Sequence, residues 1–249
     1  MTTTVLITGA NKGIGFATAE HLGARGWTVL AAARDETLGR RAEADLRGQG
    51  ADARFVPLDV TDPASAAAAA TWVDAEYGVL DVLVNNAGIT RREGAGLPSQ
   101  TTLAAMREVY ETNVFGVVTA NAMLPLLRRS AAGRIVNVSS ELGSVTSVTD
   151  PASPMHAMAT AAYPSSKAAL NMVTAMYASE LRDTAVKVNA ANPGYCATDL
   201  NGHSGFRTAQ QGAEVSVHLA TLGEDGPTGT FWGHLWTSGG DGRYGVLPW

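Results

Sequence analysis

The chain is 249 residues long and 45% hydrophobic, and its 18 basic and 23 acidic residues leave a net charge of −5. That length suits one large α/β domain, and the only basic pairs, Arg40-Arg41, Arg91-Arg92 and Arg128-Arg129, read as solvated surface and not as a face for nucleic acid. The single cysteine, Cys196, excludes an internal disulfide and a cysteine-built zinc site; with no basic n-region and no long apolar segment, neither export nor membrane insertion is expected, and a reducing cytoplasm fits best.

In chain order, Val5-Leu6-Ile7-Thr8 is an apolar strand that runs into Gly9-Ala10-Asn11-Lys12-Gly13-Ile14-Gly15, and residues 16–23 have a helical pattern. Strand, glycine loop and helix in this order place a pyrophosphate on a helix N-terminus, where free N–H groups and the macrodipole favour anions. The spacing is G-x-x-x-G-x-G, not the commoner G-x-G-x-x-G, and such a turn can be purely structural; the flanking strand and helix favour the nucleotide reading. The second strand, residues 28–33, ends at Arg34, where a fold that prefers NAD usually carries an acidic residue. An arginine there suits a 2′-phosphate, and Lys12 offers a second positive charge. Asp35, one residue later, leaves the opposite preference open, and Arg34 can also be read as ordinary surface.

Helical residues 37–49, a strand at 54–58, an alanine-rich helix at 64–77 and a strand at 79–84 continue the rhythm, which implies a doubly wound parallel sheet. Asp59, Val60 and the turn Asn85-Asn86-Ala87-Gly88 fall at strand carboxyl ends, where such sheets bind ligands, although Asp59 and Asn86 could each be simple turn residues. One long helical pattern spans 101–129; Asn113, a poor helix former, falls beside its buried stripe and is expected to contact the active centre. The strand at 134–138 delivers Ser139 and Ser140, whose hydroxyls could hold a carbonyl oxygen, and no histidine is placed for a hydrolytic triad.

Tyr163 and Lys167 lie four apart on one helical face, so the ammonium can reach the phenol and is expected to draw its pKa down. Taken alone such a pair is more often a partly exposed tyrosine and a solvated lysine. Pro164 sets the start of this helix close to Ala161 or Ala162. Between Ser140 and Tyr163 lies an insertion near 145–160; its proline-broken stretch from Thr149 to Met158 carries Met155, His156 and Met158, which either cover a pocket or pack on their own loop. After a strand at 186–190, the segment 195–211 reads as a lid, polar and glycine-rich from 201 onward, and a helix follows at 209–222. Phe231, Trp232, Trp236 and Trp249 are expected to finish a core or interface, with one or two lining the pocket. His21, His156, His203, His218 and His234 show no metal-ligand spacing, so no metal is expected.

Together Thr8 to Gly15, Asp59-Val60, Asn85 to Gly88, Asn113, Ser140, Tyr163 with Lys167, and Pro193-Gly194 followed by Thr198 resemble, nearly end to end, the short-chain dehydrogenase/reductase family. Asn11-Lys12-Gly13, Ala33-Arg34-Asp35 and the run Pro193 to Leu200 are most similar to its NADPH-dependent carbonyl reductases. The resemblance implies a Rossmann-type sheet of about seven strands in the order 3-2-1-4-5-6-7. It also implies hydride transfer between NADPH and a small ketone or aldehyde. Tyr163 would be the general acid, Ser140 would grip the oxygen, Lys167 would bond the nicotinamide ribose, and Asn113 would anchor a water leading to Lys167. Cofactor contacts would come from Gly9, Asn11, Lys12, Gly13, Ile14, Gly15, Arg34, Asp59, Val60, Asn86, Ala87, Gly88, Tyr163, Lys167, Pro193, Gly194 and Thr198. An NADH-linked alcohol dehydrogenase and a non-catalytic NADP-binding sensor are the competing readings, and the insertion favours a dimer or monomer.

Overall fold

Short, fully buried apolar strands alternate with helices along the computed structural model, which describes residues 2–91, 96–158, 160–236 and 242–249. The first half runs β1 (Thr4–Thr8), α1 (Gly13–Gly23), β2 (Thr28–Ala33), α2 (Glu36–Gly48), β3 (Asp52–Pro57), α3 (Pro63–Tyr77) and β4 (Val82–Asn85). Then come α4 (Leu103–Tyr110), α5 (Gly116–Ala120), α6 (Leu124–Leu127), β5 (Arg134–Val138), α7 (Val145–Thr149), α8 (Ala162–Glu180), β6 (Lys187–Asn192), α9 (Ala209–Ala220), β7 (Phe231–Leu235) and β8 (Arg243–Val246). Among the described residues the strands form one sheet in the order β3-β2-β1-β4-β5-β6-β7-β8, with β1 to β7 parallel and β8 antiparallel on β7. The order expected for seven strands holds. β8 was not anticipated because its four residues are mostly exposed and show no alternation.

Side chains alternate across each strand, so the sheet builds two apolar layers. Leu6 and Leu30 face α3, α5 and α8 through Val73, Ala120 and Ala178. Val5, Ile7, Val29 and Ala31 face α1, α2 and α9 through Leu22, Leu46 and Val215. Local chemistry sets the helix ends. Asp35 accepts the Leu38 N–H at 2.8 Å to cap α2, Asp62 caps α3 ahead of Pro63, and Gly78, at φ 70°, stops α3 in the left-handed region.

The single long helix expected over 101–129 is broken. Residues Glu111–Phe115 form a π turn between α4 and α5, and Pro125, which has no N–H to give, sits in the first turn of α6. The paired arginines behave as surface: Arg40 bonds Glu36, Arg91 bonds Glu108, Arg128 bonds Glu180 and Arg129 bonds Asp74. Arg92 and position 159 of the insertion lie outside the described residues. No helix among the described residues is long and apolar enough to cross a membrane.

Candidate active site

A cleft of about 860 Å³ opens at the carboxyl ends of the parallel strands, where open α/β sheets bind ligands. Its floor is the turn from β1 into α1, with Gly9 and Gly13 at φ 64° and 58°. Gly15 lies behind the cleft wall: a Cβ there would stand 2.4 Å from Asn86 Nδ2 and 2.6 Å from the Gly9 carbonyl oxygen, so the loop closes on the end of β4 only with glycine. Asn86 holds that closure by donating from Nδ2 to the Thr8 carbonyl at 2.9 Å, and Thr8 Oγ1 accepts the N–H groups of Asn86 and Ala87 at 3.0 Å. Lys12 precedes α1 without a side-chain cap, and the first turn holds no acidic residue. An open helix N-terminus facing a cleft beside Asn11, Gly13 and Ile14 fits a pyrophosphate.

The charges around this floor are divided. Arg34 is exposed on the cleft with no ion pair among the described residues, while Asp35, which also lines the cleft, spends one carboxylate oxygen on capping α2. Lys12 is not free: its Nζ bonds Asp199 at 2.8 Å across the cleft mouth, and His203 bonds the other oxygen of Asp199 at 2.9 Å. Those contacts, Lys12 first, hold the Asp199 carboxyl below the usual carboxylate range. Asp59 Oδ1 accepts both the N–H and the hydroxyl of Thr61, which orients the carboxylate beside Val60 on the cleft wall.

At the deep end the structure brings Ser140, Tyr163 and Lys167 together. The Ser140 hydroxyl, at the end of β5, donates to the Tyr163 phenol. Lys167 Nζ lies 5.6 Å from the centre of the Tyr163 ring and donates to the Val138 carbonyl at 2.7 Å. The helix that carries them starts at Ala162, as Pro164 requires. The expected lowering of the phenol pKa does not occur. Burial pushes Tyr163 up to about 12, the Ser140 bond pulls against that, and the Cys196 thiol adds to it. Burial also pushes Lys167 down to about 8. Loss of water favours the neutral form of each group.

Asn113 is not on the cleft surface. From the π turn its Oδ1 accepts the Ile89 N–H at 2.8 Å, and its Nδ2 donates to the Ile89 carbonyl at 2.9 Å and to Ser166 Oγ at 3.0 Å. It therefore braces the Gly88-Ile89 segment against α8 and has no direct bond to Lys167. A Cβ on Gly88 would lie 3.4 Å from Asn113 Oδ1 and 3.7 Å from Lys167 Nζ, so the glycine keeps the gap between them clear.

On the far wall, Gly194 has φ 76°, and a Cβ there would meet Arg207 and His234 below 3.0 Å. The Pro193 carbonyl accepts from Arg207 Nε at 3.0 Å, and Thr198 stands against Gly13. The 195–211 segment is pinned at its base, because Arg207 accepts the Ala197 N–H at 2.8 Å and donates its own N–H to the Tyr195 carbonyl at 3.1 Å. From the insertion, Met155 and Met158 line the cleft, whereas His156 turns to the Val148 carbonyl. Trp236 lines it too, and the buried Phe231 stacks on the exposed Trp249.

The model of the short chain dehydrogenase family matches residues 3–207. The chain belongs to the short-chain dehydrogenase family. It is an oxidoreductase by that membership. A short-chain dehydrogenase of Penicillium roqueforti is 40% identical to it, with 88% of each chain covered. Carbonyl reductase (NADPH) 1 of Rattus norvegicus is 33% identical over 91% of this chain and 94% of the relative. The crystal structure of an NADPH-bound carbonyl reductase from chicken fatty liver superposes with a TM-score of 0.82 at 32% identity, covering 100% of this chain and 99% of that one.

In this dehydrogenase a buried polar chain, missed from the sequence, sets the height of α8 on the sheet. Asn85 Nδ2 donates to Asn137 Oδ1 at 2.8 Å, and Asn137 Nδ2 donates to Thr174 Oγ1 at 2.8 Å. One turn earlier, Ser139 Oγ donates to Asn171 Oδ1 at 2.6 Å, and Asn171 Nδ2 donates to the Gly143 carbonyl at 3.2 Å. The available signal was an asparagine inside the Ile135–Val138 run of β5 and another on the buried face of α8 beside Leu170. Glu141, on the cleft, was also missed as a site residue, whereas Trp236 is one of the tail aromatics expected to line the pocket and does so.

Proposed function

We propose that the chain is an NADPH-dependent carbonyl reductase that converts a ketone or aldehyde to an alcohol. The observation that carries this reading is the contact between the Ser140 hydroxyl and the Tyr163 phenol beneath the Lys167 ammonium, in the cleft that the glycine loop floors. When bound, the reduced nicotinamide supplies the hydride.

The protein's part is binding, orientation and the proton. Gly9, Asn11, Gly13, Ile14 and the closure made by Gly15 and Asn86 hold the pyrophosphate, and Arg34 meets the 2′-phosphate with its unpaired fork. Asp59 and Val60 border the adenine end; Ala87, Gly88, Pro193, Gly194 and Thr198 border the nicotinamide end. With its pKa near 12, Tyr163 keeps its proton at neutral pH and gives it to the oxygen that Ser140 grips. Lys167, at about 8, titrates close enough to neutrality to resupply that proton and reaches the nicotinamide ribose. Asn113 keeps Gly88 and α8 in place around the gap through which a water can serve Lys167.

The test follows absorbance of reduced nicotinamide with NADPH and NADH against a ketone panel. Tyr163→Phe should abolish turnover while NADPH still enhances its fluorescence on binding. Arg34→Asp should lower the NADPH-to-NADH ratio of kcat/KM by roughly tenfold or more, the scale of one charge-assisted bidentate contact. Full activity in Tyr163→Phe would refute the proposed acid, and NADPH binding without turnover of any ketone would leave a nucleotide sensor.

A further inference from the structure

Most acidic side chains near an arginine on this surface are paired with it, as Glu36, Asp74 and Glu180 are. Glu141 is different. It follows Ser140 directly, its N–H is fixed by Asn192 Oδ1 at 3.0 Å, and it lines the cleft half-buried. Among the described residues its carboxylate accepts one hydrogen bond, from the Trp236 N–H at 3.3 Å, and meets no cation. Burial pushes this carboxyl up, and no positive neighbour offsets it. A partly desolvated carboxylate with spare lone pairs is costly unless a cation completes it.

The surroundings suit one kind of cation. Tyr195 and Trp236, both on the cleft, stack with ring centres 6.0 Å apart and planes 9° apart, and Phe206 packs edge-on to Trp236 at 5.1 Å. Leu142, Met155 and Met158 supply apolar lining. Aromatic faces beside a carboxylate hold alkylammonium groups by cation–π attraction together with an ion pair.

We infer that the carbonyl substrate carries a protonated aliphatic amine, seated between the Glu141 carboxylate and the Tyr195–Trp236 stack. Because Ser140 and Glu141 are adjacent, the amine lies only a few bonds from the carbonyl that Ser140 grips. This assignment rests on the reductase reading, of which it names the substrate class.

The test uses a pair of phenyl alkyl ketones, one ending in a dimethylamino group and the other with CH in place of that nitrogen. Calorimetry on the NADPH-loaded protein gives the two affinities, and absorbance of NADPH gives the two values of kcat/KM. Glu141→Gln keeps an acceptor for the Trp236 N–H and removes only the charge, and its thermal midpoint checks the fold. The wild type should bind the amine roughly tenfold more tightly than its isostere, about 1.4 kcal/mol, and Glu141→Gln should bring that ratio close to one. Trp236→Leu should also reduce the ratio, since it removes a ring and no charge. Equal affinities in the wild type, no measurable binding of either ketone, or a ratio unchanged in Glu141→Gln would overturn the inference. Turnover of both ketones without amine preference would sink the amine site and leave the reductase standing; selective binding of the amine without turnover would do the reverse.

Discussion

Replacing Lys167 by methionine should make the cofactor-free protein more stable at neutral pH while removing a group that the proposed chemistry needs. Lys167 is 4% exposed and its pKa has fallen from 10.5 to about 8. A cation whose folded pKa is depressed carries its penalty below the folded value, and the penalty fades as pH rises towards the unfolded value. At about 1.4 kcal/mol per tenfold change, burying this ammonium costs the fold about 3 kcal/mol at pH 7 and less than about 1 kcal/mol at pH 10. Methionine fills a similar volume but leaves the Val138 carbonyl without its 2.7 Å donor, a loss of about 1 kcal/mol. The net expectation is a gain of about 2 kcal/mol at pH 7 that vanishes near pH 10. Tyr163, pushed up to about 12, contributes stability below pH 10 that is lost above it, but it is present in both proteins and cancels from the difference. Urea unfolding of both proteins at pH 7 and pH 10 measures the gain. A variant less stable than wild type at pH 7, or a gain independent of pH, would refute the reasoning.

Three other substitutions probe separate parts of the structure. Asp199→Asn frees Lys12 from its 2.8 Å partner; it should tighten NADPH several-fold in a fluorescence titration at low salt while leaving the thermal midpoint within about 2 °C, as expected of an exposed pair. Gly15→Ala forces a Cβ to within 2.4 Å of Asn86 Nδ2, so it should destabilise the fold by about 1–3 kcal/mol and weaken NADPH by roughly tenfold or more. Arg134, 3% exposed, donates to the carbonyls of Gly133, Ala185, Leu222 and Gly223. Arg134→Met should cost about 3 kcal/mol in urea unfolding, because it strands several of those acceptors, yet leave turnover of the folded enzyme unchanged.

The parallel sheet and the glycine loop were legible because period and punctuation are local: apolar strands, helical repeats and glycines at fixed offsets each leave a mark within a few residues. Ser140 and Tyr163 were legible for the same reason, one at a strand end and one held four residues before a lysine. Departures arose where the deciding partner is distant in sequence. The direction of the Asn113 carboxamide depends on Ile89, which claims both ends of it. The direction of the Tyr163 pKa depends on how much of the molecule closes over it, which no spacing reveals. Lys12 read as an unpaired charge because Asp199, its partner, stands 187 residues away. Glu141 was passed over because one carboxylate after a serine carries no pattern of its own.

The Asn85–Asn137–Thr174 relay and the Ser139–Asn171 bond have a consequence for how this enzyme can diversify. Greasy contact alone would let a helix slide or roll on the sheet with small loss, whereas directional bonds at two successive turns of α8 permit a single seating. The Tyr163 hydroxyl and the Lys167 ammonium are thereby indexed to the strands beneath them and owe little to the loops above. Residues of the 145–160 and 195–211 segments can then be exchanged to suit another carbonyl compound without disturbing how Tyr163 and Lys167 stand against the sheet.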